Sequence, residues 1–513
     1  MNSKAKPTFD VDIAVVGGGP GGLATAAAVH AACNEDVSVE VYESYKGYRL
    51  QGAGVLMQPN VQYALEAIHP KLLKKFETHS ITHTGVDMFL EDGTCDVSIP
   101  TGSSGNDREL FDKYGKAPFL LGWHEIRQLL FDHLPNGIVR FNTQVTHYEE
   151  DDEGVMVHFS GRTPPRRAKL LVGADGYFSK VRSQCLDDGP PDFVGTVMWR
   201  ARVPWQEGMP HPDTGPAWLF GNVRPWPLDH KTRFGMLFKI GTLDNTKDRS
   251  WCWVLSAPIE LVRAAGVAFD PYAKDMKSLQ GESGGADSAL RNAEKVFSDF
   301  PDSIMDIVRS TDPSTVTQHG LYMRHLGHNQ YSPTSAHPST PKQGTPVKPM
   351  SKPSAVAHDD SSQGSREGKD EAWGRGCVTL LGDAAHATIP NGQGLSLAIE
   401  DAVVLAWHLQ QQGVCQSALR SYEKERPPRV KAIHEKGTDS ATPEDKEGLL
   451  FKPYFKPLWR QQSPQDGQSN KHCIVNFELA VDSVLFTSTK IQRMHLVNWC
   501  SEKCSDLQSC FHL

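Results

Sequence analysis

The chain is 513 residues long, beyond the roughly 250–300 residues at which a single hydrophobic core stops growing, so two domains with irregular additions are expected. A formal net charge of −8 at pH 7, from 53 basic and 61 acidic side chains, argues against a nucleic-acid partner, and no block of Lys and Arg interleaved with aromatics offers a phosphate footprint. The 10 cysteines are scattered along a long chain, which excludes the dense disulfide framework of small secreted domains.

From the N-terminus, residues 1–12 lack the apolar core of a secretory signal. Val11–Val16 is a short apolar run that reads as a buried parallel strand. The following stretch to Cys33 is rich in glycine and alanine but broken by Pro20 and His30, which predicts a buried helix over residues 21–33 and no integral membrane segment. With no address visible, the cytoplasm is the expected location. Residues 37–42 add a second strand and complete a strand, helix, strand unit of Rossmann type. Between the first strand and the helix stands Gly17-Gly18-Gly19-Pro20-Gly21-Gly22. Gly17 permits the tight turn, Gly19 lets a pyrophosphate approach the backbone, Gly22 lets helix and strand pack closely, and the helix N-terminus faces the phosphates. Glu43 ends the second strand, where a carboxylate can accept hydrogen bonds from an adenosine ribose. A ligand-free glycine turn is the plainer alternative, opposed by the agreement of strand, helix and acid. The motif alone does not choose between FAD and NAD.

Residues 126–134 have helical spacing, 139–148 and 154–159 read as strands, and 170–172 as a short buried strand. From residue 194 to about 258 the chain is rich in tryptophan and alternating apolar residues, which predicts an antiparallel sheet with one covered face. Residues 331–370 are dense in Pro, Ser, Thr, Lys and Gly and predict a disordered insert. Order resumes with a buried strand at 378–381 and an apolar helix at 395–410 that carries Glu400 and Asp401. Beyond residue 436 the pattern turns polar, with short elements expected only at 474–486. Cys500, Cys504, Cys510 and His512 lack the paired short knuckles of structural zinc sites, so free thiols and no metal are expected there.

Two later stretches carry a resemblance. Gly173-Ala174-Asp175-Gly176, continuing through Ser179 to Arg182, is similar to the mid-chain DG motif of the class A flavoprotein monooxygenases, the aromatic hydroxylase family. Gly382-Asp383-Ala384-Ala385-His386, with Pro390, Gly392-Gln393-Gly394 and Glu400-Asp401-Ala402, is similar to that family's later GD motif, and Tyr422, Arg426 and Pro427 resemble its closing segment. The resemblance covers about residues 11–430. It implies an α/β fold: a Rossmann-type FAD-binding domain, residues 8–190 and 371–435, with an inserted α+β substrate domain, residues 191–325, containing a mostly antiparallel sheet. The insert 331–370 and a divergent extension 436–513 lie outside that plan.

Further implications fall on single residues. Asp383 would bind the ribityl or phosphate side of FAD, and the backbone of Gly394 and Leu395 would face the isoalloxazine ring, where a positive helix end stabilises the reduced, anionic flavin. Asp175 belongs to a motif that serves flavin and nicotinamide together. No second GxGxxG is present, so NADPH or NADH would visit only transiently. Gln51-Gly52-Ala53-Gly54-Val55 resembles a loop beside the flavin, with Pro59 and Asn60 after it, which makes Ala53 and Gly54 cofactor contacts. Trp123 and His124 stand where the family carries an FAD-touching arginine; Arg127, a turn later, is either that contact or a surface charge. The Gly392 to Gly394 loop is one residue shorter than the common version. Trp199-Arg200 matches a pair whose arginine acts on substrate in some members, which makes Arg200 the catalytic candidate; a buried structural arginine is the other reading. Trp251 and Trp253 are similar to a tryptophan pair of flavin halogenases, or simply fill one face of a strand. His386 would belong to the loop scaffold.

The implied activity is hydroxylation of an aromatic or other electron-rich small molecule with NAD(P)H and O2. Epoxidation of an isoprenoid or polyene, and a flavin-binding protein with little turnover, are the alternatives.

Overall fold

The computed structural model describes residues 8–33, 36–48, 53–82, 85–100, 111–112, 114–209, 217–221, 232–241, 250–272, 287–324, 373–388, 392–436 and 457–458. All of these belong to one unit, Met1–Arg460, and residues 461–513 form a second. The expected insert at 331–370, the elements expected at 474–486 and the cysteines of the tail lie outside the described residues, as do Gln51, Gly52 and Pro390.

The first strand, β1 (Val11–Val16), is almost wholly buried and sits inside its sheet, as a continuous apolar run should. It pairs in parallel with β2 (Val39–Tyr42) on one side and β11 (Arg166–Gly173) on the other. The sheet extends through β8 (Val139–Arg140) beyond β2, and through the antiparallel hairpin of β9 (Val145–Asp151) and β10 (Gly154–Phe159) beyond β11, while β17 (Val378–Leu380) pairs in parallel with the C-terminal half of β11. The single strand expected at 139–148 is thus two. Asn142 breaks it by adopting φ 54, a left-handed conformation that asparagine tolerates. Helix α1 (Pro20–Cys33) is buried nearly all round. Its small side chains let it lie against the helix Gly394–Gln412, where a Cβ on Gly21 would press on Leu381 and Ala398.

A second seven-stranded sheet runs β16 (Thr317–Met323), β12 (Asp192–Pro204), β15 (Ser250–Pro258), β14 (Phe234–Ile240), β13 (Ala217–Gly221), β5 (Gly85–Phe89), β6 (Cys95–Pro100). Neighbours are antiparallel except β13 and β5. The hairpin of β5 and β6 comes from the span expected to belong to the first domain, yet it pairs with this sheet. Both faces of the sheet are covered, which corrects the single covered face expected from the sequence. On one side Trp199, Trp251, Trp253 and Leu237 pack with Phe297 and Ile304; on the other Phe238, Ile240, Cys252 and Val254 pack with Leu120. Leu120 lies on β7 (Phe119–Gly122), which forms a small antiparallel sheet with β3 (Gly54–Met57) and β4 (Ile81–Thr82). No helix among the described residues is long and apolar enough to cross a membrane.

On the helix Gln416–Lys436, the Glu423 carboxylate accepts from the Thr379 hydroxyl at 2.6 Å and from Arg420 at 2.8 Å. Burial nevertheless pushes its pKa from 4.5 up to about 7. Between those values the folded chain holds a proton that the unfolded chain has released, so stability is greatest at the acid end and falls as pH rises through the window. Glu423→Gln is expected to flatten that slope, read as urea midpoints compared at about pH 5 and about pH 8.

Candidate active site

Four parallel strands finish side by side. Tyr42 is in register with Val16, Val16 with Gly173, and Gly173 with Leu380. The segments that follow, at Glu43, Gly17, Ala174 and Leu381, therefore line one crevice at the carboxyl ends of the strands, where open α/β sheets bind ligands. Hydrogen bonds lock the junctions: Gly17 N–H to Tyr42 O at 2.9 Å, Ala174 N–H to Val16 O at 2.8 Å, Leu381 N–H to Gly173 O at 3.0 Å. Gly17 adopts φ 107, and a Cβ there would run into the Ala174 carbonyl; a Cβ on Gly22 would run into the carbonyl of Gly17. Gly19 faces open space.

Glu43 is buried and closes this end of the crevice. Its Oε2 accepts from the Gly18 amide at 2.9 Å and its Oε1 from the Tyr45 amide at 2.9 Å. Arg127 is half-buried with its guanidinium 4.6 Å from the centre of the Tyr48 ring; burial draws its pKa down, against the fields of Tyr48, Glu43 and Tyr45. Arg127 therefore stacks on Tyr48, whose hydroxyl stands beside Gly18.

Asp175 is engaged within its own loop. It accepts from the Ser179 hydroxyl at 2.5 Å and from the Lys180 and Val181 amides at 2.7 and 3.3 Å, so it caps the first amides of the helix Lys180–Leu186 alongside the N-cap residue Ser179. That helix carries Arg182, whose Nη1 donates to the carbonyls of Ala384 and Ala385 at 2.9 and 2.7 Å. One arginine therefore fastens the DG segment to the GD segment.

Beneath the GD turn lies a buried ionic network. Asp401 accepts from the Gly382 amide at 2.9 Å and meets His386 Nε2 at 2.6 Å and Arg426 Nε at 2.7 Å. Although burial alone would raise its pKa, His386 and Arg426 hold it at about 2. Glu400 pairs with Arg429 Nε at 2.8 Å and with Arg426 Nη1 at 2.9 Å, the latter an ion pair without hydrogen-bond geometry. Asn60 donates to Glu400 at 2.8 Å and to the Gln393 side chain at 3.1 Å. The acid pair Glu400-Asp401 thereby fixes both the Gly382 turn and the loop that opens the helix Gly394–Gln412. His386 is 2 % exposed and bonded here, which makes it scaffold.

The second sheet supplies the facing wall. Arg200 lies on β12 between Trp199 and Ala201, which both enter the tryptophan core, so it points to the opposite face. Among the described residues its side chain makes no hydrogen bond or ion pair, and its Nε is enclosed. Burial draws its pKa down, against the fields of Tyr177, Cys252 and Asp383. Asp383 is raised by burial and eased by His386 and Arg200, while Tyr177 is raised by Asp383 and burial together. Arg200 and Asp383 are thus electrostatic neighbours across the crevice. Gly54, at the start of β3, donates to Cys252 Sγ at 3.1 Å, and a Cβ there would run into Phe238 and Ile240. Burial holds the Cys252 thiol at about 12, so it stays neutral. Ala53 is only half-buried and packs against the Phe238 and Ile240 cluster. Trp251 and Trp253 lie in the core away from Arg200, with Trp253 Nε1 donating to Thr311 at 2.9 Å; they fill one face of a strand.

Sequence reasoning missed Tyr177, His319 and Arg324. Burial and the nearby Arg200 push His319 down to about 3, so it is a neutral imidazole. Arg324 donates its amide to Ala387 O at 2.7 Å and Nη1 to Gly189 O at 2.8 Å; no motif surrounds it, and only tertiary position reveals it.

The crevice fits a flavin dinucleotide. The Tyr48 hydroxyl beside Gly18 and the Ser396 hydroxyl in the first turn of Gly394–Gln412 are enclosed without a hydrogen-bond partner. The first amides of that helix, at Gly394 and Leu395, have no intrahelical acceptors and favour negative charge. Comparison with known proteins agrees. Residues 10–187 and 353–436, just over half of the chain, match the family described as FAD binding domain. The chain is 25% identical over 462 residues to 6-hydroxynicotinate 3-monooxygenase of Bordetella bronchiseptica, covering 87% of this chain and 96% of that protein. It is 24% identical over 444 residues to 6-methylsalicylate 1-monooxygenase of Aspergillus terreus, covering 82% and 80%. In fold it resembles the crystal structure of Klebsiella pneumoniae HpxO complexed with FAD and uric acid, with a TM-score of 0.56, 21% identity, and coverage of 86% and 89%. The chain belongs to the FAD-binding-domain family and is a class A FAD-dependent monooxygenase, an oxidoreductase with a Rossmann-type cofactor domain.

Proposed function

We propose that this enzyme hydroxylates a small aromatic molecule that carries a negative charge, a ring carboxylate or phenolate, and that Arg200 binds that charge. The observation that carries the reading is the Arg200 side chain, drawn out of bulk water yet without a hydrogen-bonded or ion-paired partner among the described residues. A desolvated guanidinium is costly until an anion meets it, and its planar fork suits a carboxylate. The similar proteins point the same way, since 6-hydroxynicotinate and 6-methylsalicylate are ring compounds with ionisable groups.

In this reading Glu43 holds the adenosine ribose, with Gly17, Gly19 and Gly22 admitting the pyrophosphate. Arg127 stands beside that end. Asp383 receives the ribityl or phosphate side, Ala53 and Gly54 flank the ring, and the amides of Gly394 and Leu395 offset negative charge on it. FAD held by these residues would supply the redox chemistry that links NADH or NADPH and O2 to oxygenation of the substrate. Asp175 supports the site through the helix whose first amides it caps. Phe238 and the enclosed face of the second sheet exclude water, which favours oxygen transfer over wasteful release of hydrogen peroxide. We place the enzyme in the cytoplasm.

The test is NADPH and NADH oxidation by the FAD-loaded chain, with hydroxybenzoates, hydroxypyridine carboxylates and neutral isoprenoids compared under 18O-labelled O2. Stimulation by an anionic ring, with label in the product hydroxyl, is the expected result. Stimulation by neutral isoprenoids alone, or by none of the panel, would overturn the proposal.

A further inference from the structure

The hairpin of β9 and β10 ends the first sheet, with β9 as its edge strand. His147 on β9 is the cross-strand partner of His158 on β10, and the two imidazoles stack with centroids 4.3 Å apart and planes 5° from parallel. Glu149, two residues along β9, shares their face and brings Oε1 to 3.5 Å from His158 Nε2. One ligand atom from each of the three lies within 4.8 Å of the others.

Two details go beyond proximity. First, His158 Nε2 is enclosed and has no hydrogen-bond partner. A separation of 3.5 Å to Glu149 is long for a hydrogen bond, but two donors at about 2.0–2.1 Å from one tetrahedral metal sit roughly 3.3–3.4 Å apart. Second, the Thr146 hydroxyl donates to the His158 carbonyl at 3.2 Å and lies 3.0 Å from His147 Nδ1. With its one proton given to a carbonyl, the hydroxyl oxygen accepts from Nδ1–H, and the lone pair of His147 is left on Nε2. That is how an outer hydrogen bond prepares a histidine ligand. A register shift between His158 and Phe159 re-aims the strand at this point.

We infer that His147, Glu149 and His158 form a site for one divalent first-row transition-metal ion of the zinc class, with water completing its coordination. Two imidazoles and one carboxylate suit zinc, copper or nickel and disfavour magnesium and calcium. The ion would tie the two strands of a hairpin that supports the cofactor domain from outside. Tyr148 exchanges hydrogen bonds with Gln184 on the helix that Asp175 caps, at 3.0 and 2.5 Å. Glu150 accepts from the Cys377 amide, just ahead of β17.

The test uses the untagged, full-length, FAD-loaded protein after chelator treatment. Zinc is titrated by calorimetry, melting is followed with and without zinc, and copper is added for electron paramagnetic resonance. One tight zinc equivalent is expected, with a higher Tm and two nitrogen ligands on copper. His147→Ala and His158→Gln should each weaken that equivalent at least about tenfold and cancel the Tm rise, with flavin content and NAD(P)H oxidation unchanged. Magnesium should do nothing. If both variants bind zinc as the parent does, the ion is held elsewhere and the inference fails; absence of zinc binding by the parent would end it equally.

Discussion

Replacing Arg426 with methionine is expected to destabilise the fold by about 3–5 kcal/mol and to release flavin. The residue is wholly buried between two wholly buried carboxylates, Asp401 at 2.7 Å and Glu400 at 2.9 Å. Removing the cation leaves two negative charges in a medium that solvates them poorly, and breaking one side of such a pair costs far more than replacing the whole pair. Arg429 still faces Glu400 and His386 still faces Asp401, so the loss is shared between the two carboxylates. In the native chain the depressed pKa of Asp401 contributes stability that is fully present above its ordinary value of 3.8 and is lost as pH falls toward about 2. In the variant that acid limb should move to higher pH. Urea midpoints and the visible flavin absorbance retained after gel filtration measure both effects. A midpoint within experimental error of the parent would show that the network is dispensable. Arg426→Lys should rescue little, because a compact ammonium cannot reach two carboxylates with the guanidinium's planar fork.

The second large effect concerns turnover. Arg200→Gln should leave flavin content unchanged, since Arg200 belongs to the facing sheet and not to the glycine loop, while kcat/KM for an anionic ring falls roughly ten- to hundred-fold. That range corresponds to loss of charged hydrogen bonds worth about 1.5–3 kcal/mol. The same change should alter the slow, substrate-independent oxidation of NAD(P)H very little. A kcat/KM within twofold of the parent would make Arg200 a structural arginine. A fall in flavin content would mean that it supports the cofactor and not the substrate.

The cofactor side of this site was largely legible in the sequence, and the physical reason is locality. A glycine loop between a strand and a helix must bring its own turn, its own close approach and its own helix end, so Gly17, Gly19, Gly22 and Glu43 announce themselves together. The GD and DG stretches are similarly self-contained. What the sequence concealed depends on partners far along the chain. Nothing near Arg182 or Arg324 says that each donates to carbonyls of residues 384–387. The hairpin of β5 and β6 gives no local sign that it extends a sheet made mostly of residues beyond 190, because its pairing with β13 is a parallel, long-range one. The alternating pattern of β15 suggested one wet face, yet Cys252 and Val254 are as apolar in setting as Trp251 and Trp253, and a second layer covers them. Asn142 was the missed local signal, a residue suited to the left-handed kink that divides β8 from β9.

Arg324 and Trp373 flank the stretch 325–372, and both touch the same short segment: the Arg324 amide bonds Ala387 O at 2.7 Å, and the Trp373 ring lies 5.0 Å from that of His386. The two ends of that stretch are therefore held side by side at one anchored gate. Loop-closure entropy grows only logarithmically, so doubling the length between two such posts costs about 0.6 kcal/mol. This makes the gate a natural splice point, where a reporter domain could be inserted, or the stretch shortened to a few residues, while the strands that carry the flavin loops keep their register.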